Sequence, residues 1–183
     1  MFTLVSDCQI GVACAHQLVS VRAVNARWLF VLLALAAACA FAFSVQLGCW
    51  WSIGDVEIGP FGSKHCFGDG DCKVAGLGWI GASDRWMRLG MATWAGGLVS
   101  ALMLVIMAAR LASNRVPKLV AKSVLVALAT ASLAGTVFVA TFPGVKGASL
   151  DRGAWLFAGA VIVALFAAIG VLRSSARPAA PRD

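Results

Sequence analysis

The sequence predicts an all-α integral membrane protein: a four-transmembrane-helix bundle with a disulfide-tied extracytoplasmic loop. Composition and pattern predict the bundle, and charge predicts which way it faces. Of the 183 residues, 61% are hydrophobic and 13% charged, with mean hydropathy +0.88. A soluble domain averages about half apolar and a quarter charged. The apolar residues gather into four runs without a charged side chain: 28–47, 89–109, 123–145 and 153–172. A hydrocarbon core about 30 Å thick takes roughly 20 helical residues. A helix satisfies its own backbone polar groups in lipid, so each run reads as a span. Four such runs leave too little polar surface to cover them in a soluble protein.

Charge sets the orientation. Arg22, Arg27, Arg110, Arg115, Lys118, Lys122, Arg173, Arg177 and Arg182 fall on one side of the runs, with only Asp7 and Asp183. On the other side six basic residues face six acidic ones, so the net +7 belongs wholly to the first side. The positive-inside rule makes that side cytoplasmic. Contact with anionic headgroups accounts for the charge, at about 1 kcal/mol per residue, and no nucleic-acid partner is needed.

Residues 1–27 read as a polar cytoplasmic segment, in which His16 is incidental. The first span takes 28–48. Ala40-Phe41-Ala42 resembles a signal-peptidase site, and cleavage there would leave three spans. The run stays apolar through Leu47, long for a signal core, so a retained helix is expected. Gln46-Leu47-Gly48-Cys49 departs from a lipoprotein box, with glutamine in place of leucine.

The extracytoplasmic loop, 49–87, holds the densest chemistry: Lys64-His65-Cys66-Phe67-Gly68-Asp69-Gly70-Asp71-Cys72-Lys73. Disulfides persist in an exported loop. Gly68 and Gly70 let the short ring bend, so Cys66 and Cys72 are expected to bond to each other. Cys49 competes as a partner for either. Zinc on His65, Cys66, Cys72 and an aspartate is the metal alternative, but CxxC spacing is absent and a ligand is missing. Asp69-Gly70-Asp71 offers too few oxygens for calcium. A C-x5-C among acids matches a thiol oxidoreductase poorly. No metal, cofactor or catalytic residue is therefore expected. Trp50, Trp51, Phe67, Asp69, Asp71 and Arg88 are the candidates for contact with a partner.

The second span, 88–110, carries Thr93, Gly96, Gly97 and Ser100 on one face. A basic loop, 111–118, leads to the third span, 119–142, which carries Ala127, Ala131 and Gly135. Pro143 and Gly144 end that helix, and a short outer loop, 143–152, follows. The fourth span, 153–172, has Ala160, Ala164 and Ala168 four apart. The Pro/Ala/Arg-rich tail, 173–183, reads as disordered. Small residues at these spacings let helix backbones approach closely, within the bundle or against a partner helix. Met87/Met91 and Met103/Met107 read as core filling. Trp28, Trp50, Trp51, Trp86 and Trp155 fall at span ends, as an interfacial belt would.

No Asp, Glu, Lys, Arg or His lies deep within a span. Ion-coupled transporters mark their paths with such residues, and intramembrane hydrolases need a base or metal ligands there. Ser/His/Asp arrangements and glycine-rich phosphate loops are also missing.

Four spans, cytoplasmic termini, a long cysteine-bearing first outer loop and a short second one together resemble the claudin-like tetraspan membrane protein superfamily. Trp50 and Trp51 at the loop start, Cys66 and Cys72 in its second half, Arg88 opening the second helix and Gly153-Ala154-Trp155 opening the fourth carry the resemblance. Gly76-Leu77-Gly78-Trp79 departs from it, following the cysteines where the family's Gly-Leu-Trp precedes them. The cysteine spacing is also shorter. The resemblance implies a small outer β-sheet held by the disulfide, and a role in adhesion or partner organisation. The expected function is thus a non-catalytic structural, adhesion or accessory/scaffold component. Its expected partners are the lipid bilayer and another membrane protein or a second copy of itself. The alternative is a channel or transporter subunit that forms a pore by oligomerisation, with Thr93 and Ser100 lining it.

Overall fold

The computed structural model describes residues 27–66, 71–115 and 118–174. Four helices are each long and apolar enough to cross a membrane: α1 Arg27–Gln46, α2 Asp84–Ala112, α3 Lys118–Ala140 and α4 Arg152–Ser174. Between α1 and α2 lie β1 Trp51–Ile53, β2 Val56–Ile58, β3 Ser63–Cys66, β4 Cys72–Ala75 and a short 3-10 helix, Leu77–Ile80. A fifth strand, β5 Ser149–Leu150, precedes α4.

The helix ends follow local chemistry. Ser83 caps α2, its hydroxyl accepting from the Trp86 N–H at 3.3 Å, and Asp84 adds negative charge to the first turn. Arg88, expected to open this helix, is exposed one turn inside it. At the other end Asn114 takes φ 58°. The Asn114 N–H donates to Leu111 O at 3.1 Å and the Arg115 N–H to Arg110 O at 3.0 Å. This pair of reversed bonds is a Schellman motif, which satisfies carbonyls left open by the last turn.

The helices pack in chain order around the bundle, and α4 returns to α1. Close approach depends on small residues. A Cβ added at Gly96 would stand 3.2 Å from the Cα and Cβ of Ala131, so α2 and α3 meet almost backbone to backbone. One added at Gly97 would reach Val45 Cγ1 of α1 at 2.7 Å. At Gly135 it would meet Phe157 of α4 at 3.1 Å and Thr93 Cγ2 at 3.5 Å. Thr93, Ser100, Ala131, Ala160 and Ala164 are buried. The Thr93 hydroxyl donates to Leu89 O at 2.8 Å, so its burial leaves no open donor. The Thr93/Gly96/Gly97/Ser100 face of α2 therefore turns toward α1 and α3 of its own chain. Gly97→Leu should push α1 away and cost on the order of 1–3 kcal/mol, as overpacking does elsewhere. Thermal unfolding of the purified protein in detergent reads this, and an unmoved midpoint would show that Val45 makes room freely.

The outward faces are apolar too. Leu102, Val126, Leu133 and Phe166 are all exposed. Contiguous exposed hydrophobics of this kind suit lipid rather than water.

The sheet closes one end of the bundle. Its order is β4-β3-β2-β1-β5, every pair antiparallel. The two-residue turn Gly54-Asp55 joins β1 to β2, with Gly54 at φ 55°. A small outer sheet was expected beside the four helices, and it has five strands. The fifth strand comes from the segment read as a plain outer loop. It pairs Trp51 with Leu150 and Ser52 with Ser149. Two residues carry no alternation to read, so only pairing reveals the strand.

Candidate functional site: the sheet cap and its aromatic seat

The loop after α1 begins with two tryptophans, and both turn inward. Trp50 and Trp51 are 1% and 4% exposed, and Trp86 from the first turn of α2 is 3% exposed. They meet Phe138 from the last turn of α3, Phe142 just beyond it and Phe157 from α4. Trp86 stacks on Phe138 at 4.5 Å between centroids, and Trp51 stacks on Phe142 at 4.5 Å. Trp50 lies 5.1 Å from Phe157, and Trp51 lies 5.1 Å from Phe138 edge-on. Such pairs add about 0.5–1.5 kcal/mol each beyond area burial.

The indole N–H groups find partners where helices run out of their own. Trp50 Nε1 donates to Ser44 O at 3.0 Å and Trp86 Nε1 to Phe138 O at 2.9 Å. Both acceptors lie in a last helical turn, α1 and α3 respectively, where carbonyls lack intrahelical donors. Two sequence expectations are corrected here. Trp50, Trp51 and Trp86 form no interfacial belt, since a belt needs exposed rings. Trp50 and Trp51 offer no surface to a partner, because their rings are buried against Phe138, Phe142 and Phe157. Trp28 and Trp155 are exposed, as a belt residue would be.

Hydrogen bonds tie the end of α1 and the residues leading into β1 to the segment that opens α4. The Asp151 N–H donates to Trp50 O at 2.8 Å, the Gly153 N–H to Cys49 O at 2.7 Å, and the Ser44 hydroxyl to Gly153 O at 2.8 Å. On the opposite flank a Cβ at Gly90 would strike Pro60 O, so α2 too is pressed against the β2–β3 connection.

Cys66 and Cys72 are bonded to each other. They are register partners at the end of β3 and the start of β4, so the bond staples one antiparallel ladder. The bond removes the two thiolates that a zinc site would need. Among the described residues no three His, Cys, Asp or Glu side chains form a metal-binding group. Asp71 is exposed beside the disulfide. Phe67 and Asp69 lie outside the described residues.

Cys49 is buried and makes no disulfide. Its thiol donates to Trp51 O at 3.0 Å. Burial pushes its pKa up to about 11, with Asp151 and Glu57 opposing ionisation as well. The thiol is therefore neutral and weakly nucleophilic at ordinary pH. Asp151 is the reverse case: the Arg152 N–H, 2.6 Å from its carboxylate, holds it below its usual range. Maleimide labelling of Cys49, in a variant lacking Cys8, Cys14 and Cys39, should be slow at pH 8 and quicken only as pH approaches about 11. Denaturation should make it fast at once, and rapid labelling of the folded protein at pH 8 would contradict the burial.

Beside Cys49 a groove of about 510 Å³ opens between α1 and the sheet, with Leu47, Glu57, Lys64, Val74 and Arg152 among its walls. Arg152 Nη2 is 3.6 Å from Glu57 Oε1. Both side chains are largely exposed, so this pair is worth about 0–1 kcal/mol.

The fold and the cap define a class: a four-helix integral membrane protein whose bundle is closed at one end by a disulfide-stapled antiparallel sheet. No protein-family model matches the chain, and no curated protein matches it. The Cys49/Gly153 contact, β5 and the capping role of the tryptophans escaped sequence reasoning. Gly153-Ala154-Trp155 at the start of the fourth run was the one available signal for the first of these.

Proposed function

We propose that this chain is a non-catalytic structural component of a membrane, an accessory, adhesion or scaffold protein that presents its sheet as a rigid platform. The observation that supports the reading most is the clamping of the sheet onto the bundle. Backbone hydrogen bonds from Asp151 and Gly153 hold the residues leading into β1, aromatic stacking holds the sheet to the bundle, and the disulfide staples its outer ladder. On that clamped surface Val74 is 78% exposed, and Phe61 and Trp79 are more than half exposed. Apolar side chains on a stapled sheet suit recognition of another membrane protein or a second copy, because little order is lost on binding. Thr93 and Ser100, the lining residues of the pore alternative, are buried inside a single chain, which disfavours that alternative.

In this reading both termini are cytoplasmic and the sheet is exported. Reporter fusions after Asp183 and within 111–117 should read cytoplasmic, and one near Gly70 should read exported. Val74→Lys should lose a membrane partner, or a self-association, that the wild type retains through purification from native membranes. Ion flux above that of empty vesicles, from purified protein in liposomes, would overturn the reading in favour of a pore.

A further inference from the structure

We propose that Arg110 and Arg115, at the end of the bundle opposite the sheet, hold the phosphate of an anionic phospholipid headgroup. The Schellman motif that ends α2 is the starting observation. It bonds the Arg115 N–H to Arg110 O at 3.0 Å. That bond brings the third-last helical residue and the second residue beyond the cap together, positions where the motif usually places a hydrophobic contact. Here both are arginines. Arg110 alone has an ordinary explanation, since a cation complements the C-terminal end of a helix dipole. Arg115 has none, and a second guanidinium at this spot repels the first.

No carboxylate among the described residues relieves that repulsion. Asp55, Glu57, Asp71, Asp84 and Asp151 all belong to the sheet end. The ion pair between Arg152 and Glu57 is at that end as well. Neither Arg110 nor Arg115 is buried. The two arginines share a groove of about 480 Å³ whose remaining walls are Ile106, Ala109 and Ser113. The groove thus carries two cations together with the aliphatic side chains of Ile106 and Ala109. An anion between the guanidiniums would turn a destabilising pair into a bidentate clamp, the geometry in which arginine binds phosphate best.

Position selects the source of that phosphate. The apolar surface of α2, including exposed Leu102 and Val105, runs up to the groove. The two cations therefore stand where the hydrocarbon region gives way to headgroups, and Ile106 and Ala109 lie on the acyl side of them. A leaflet lipid supplies both halves of the ligand, whereas free phosphate would leave the aliphatic wall unused. The complementarity favours an anionic lipid over a zwitterionic one, whose own amine would meet the same two cations.

Native mass spectrometry of the purified, delipidated full-length chain tests this. The probes are phosphatidylglycerol, phosphatidylcholine with the same acyl chains, and inorganic phosphate. Phosphatidylglycerol should be retained by the wild type, and Arg110→Gln/Arg115→Gln should weaken that retention by on the order of 1,000-fold, the loss of two charge-assisted hydrogen bonds. Lys122→Gln/Arg173→Gln removes as much charge from the same end and should lose only the diffuse attraction of two cations, about 30-fold or less. Both substituted residues of the test pair are exposed at a helix end, and an unchanged thermal midpoint in lipid-free detergent would verify the fold. Equal loss in the two double variants would overturn the proposal, leaving only diffuse attraction. Equal retention of phosphatidylcholine, or displacement of the lipid by inorganic phosphate, would overturn it too.

Discussion

Gly153→Val is expected to be among the most damaging single substitutions in the bundle. A Cβ at this position would lie 2.5 Å from Cys49 O and 2.8 Å from the carbonyl carbons of Cys49 and Gly48. All of these are backbone atoms, so no rotamer change relieves the overlap. Relief requires α4 to withdraw from the end of α1. That motion would break the Gly153-to-Cys49 and Ser44-to-Gly153 hydrogen bonds and pull β5 from β1. Overpacking costs about 1–3 kcal/mol, and each lost hydrogen bond adds roughly 1 kcal/mol. A loss on the order of 4 kcal/mol follows, a large share of the stability of a domain this size. Gly159→Ala on the same helix is the control. Nothing lies within 4 Å of a Cβ there, so that change should be neutral or stabilise by up to about 1 kcal/mol through helix propensity. Thermal unfolding and monodispersity in detergent read both variants. Equal behaviour of the two would show that the α1–α4 contact is not the close seat described above.

Phe138→Ala should cost about 3–5 kcal/mol, the range for removing a buried aromatic ring. Phe138 is fully buried between Trp86, which stacks on it, and the edges of Trp50 and Trp51. Its removal leaves a cavity that Trp50 and Trp86 cannot close without releasing their carbonyl partners. The damage should be local. Helices in lipid satisfy their own backbones, so far-UV circular dichroism should change little. Near-UV signal from the tryptophans should collapse, and protease should cut the 49–83 segment faster. Unchanged near-UV signal and cutting rate would mean that the sheet is held by the hydrogen bonds from Asp151 and Gly153 alone.

The four helices were legible because lipid-spanning segments announce themselves: an apolar run of about 20 residues has few other uses. Their true ends differ from the charge-free runs by a few residues, since helices continue past the last apolar side chain until a cap or turn stops them. Asp84–Ala112 begins a turn before the expected start at 88 because Ser83 and Asp84 cap it. The disulfide was legible from an expected compartment and two glycines. The sheet was not read from its own strands, which are two to four residues long. It was expected only through the resemblance to tetraspan proteins, a relation that remains a proposal.

The sequence by itself determined that this is a membrane-spanning four-helix chain with a cysteine-paired loop. Hydrophobicity over a run, the size of glycine and the spacing of two cysteines are properties a linear string carries. What only the tertiary structure decided is where each aromatic and small residue goes. A tryptophan at a span end can face headgroups or cap a neighbouring helix with its indole N–H, and the string is the same in both cases. Trp155 and Trp50 took these opposite courses because Phe138, Phe157 and the end of α1 enclose one and not the other. Gly153 became a contact point through the arrival of Cys49 from more than a hundred residues away. Burial and backbone approach depend on which segments meet, and that meeting is a property of the folded chain alone.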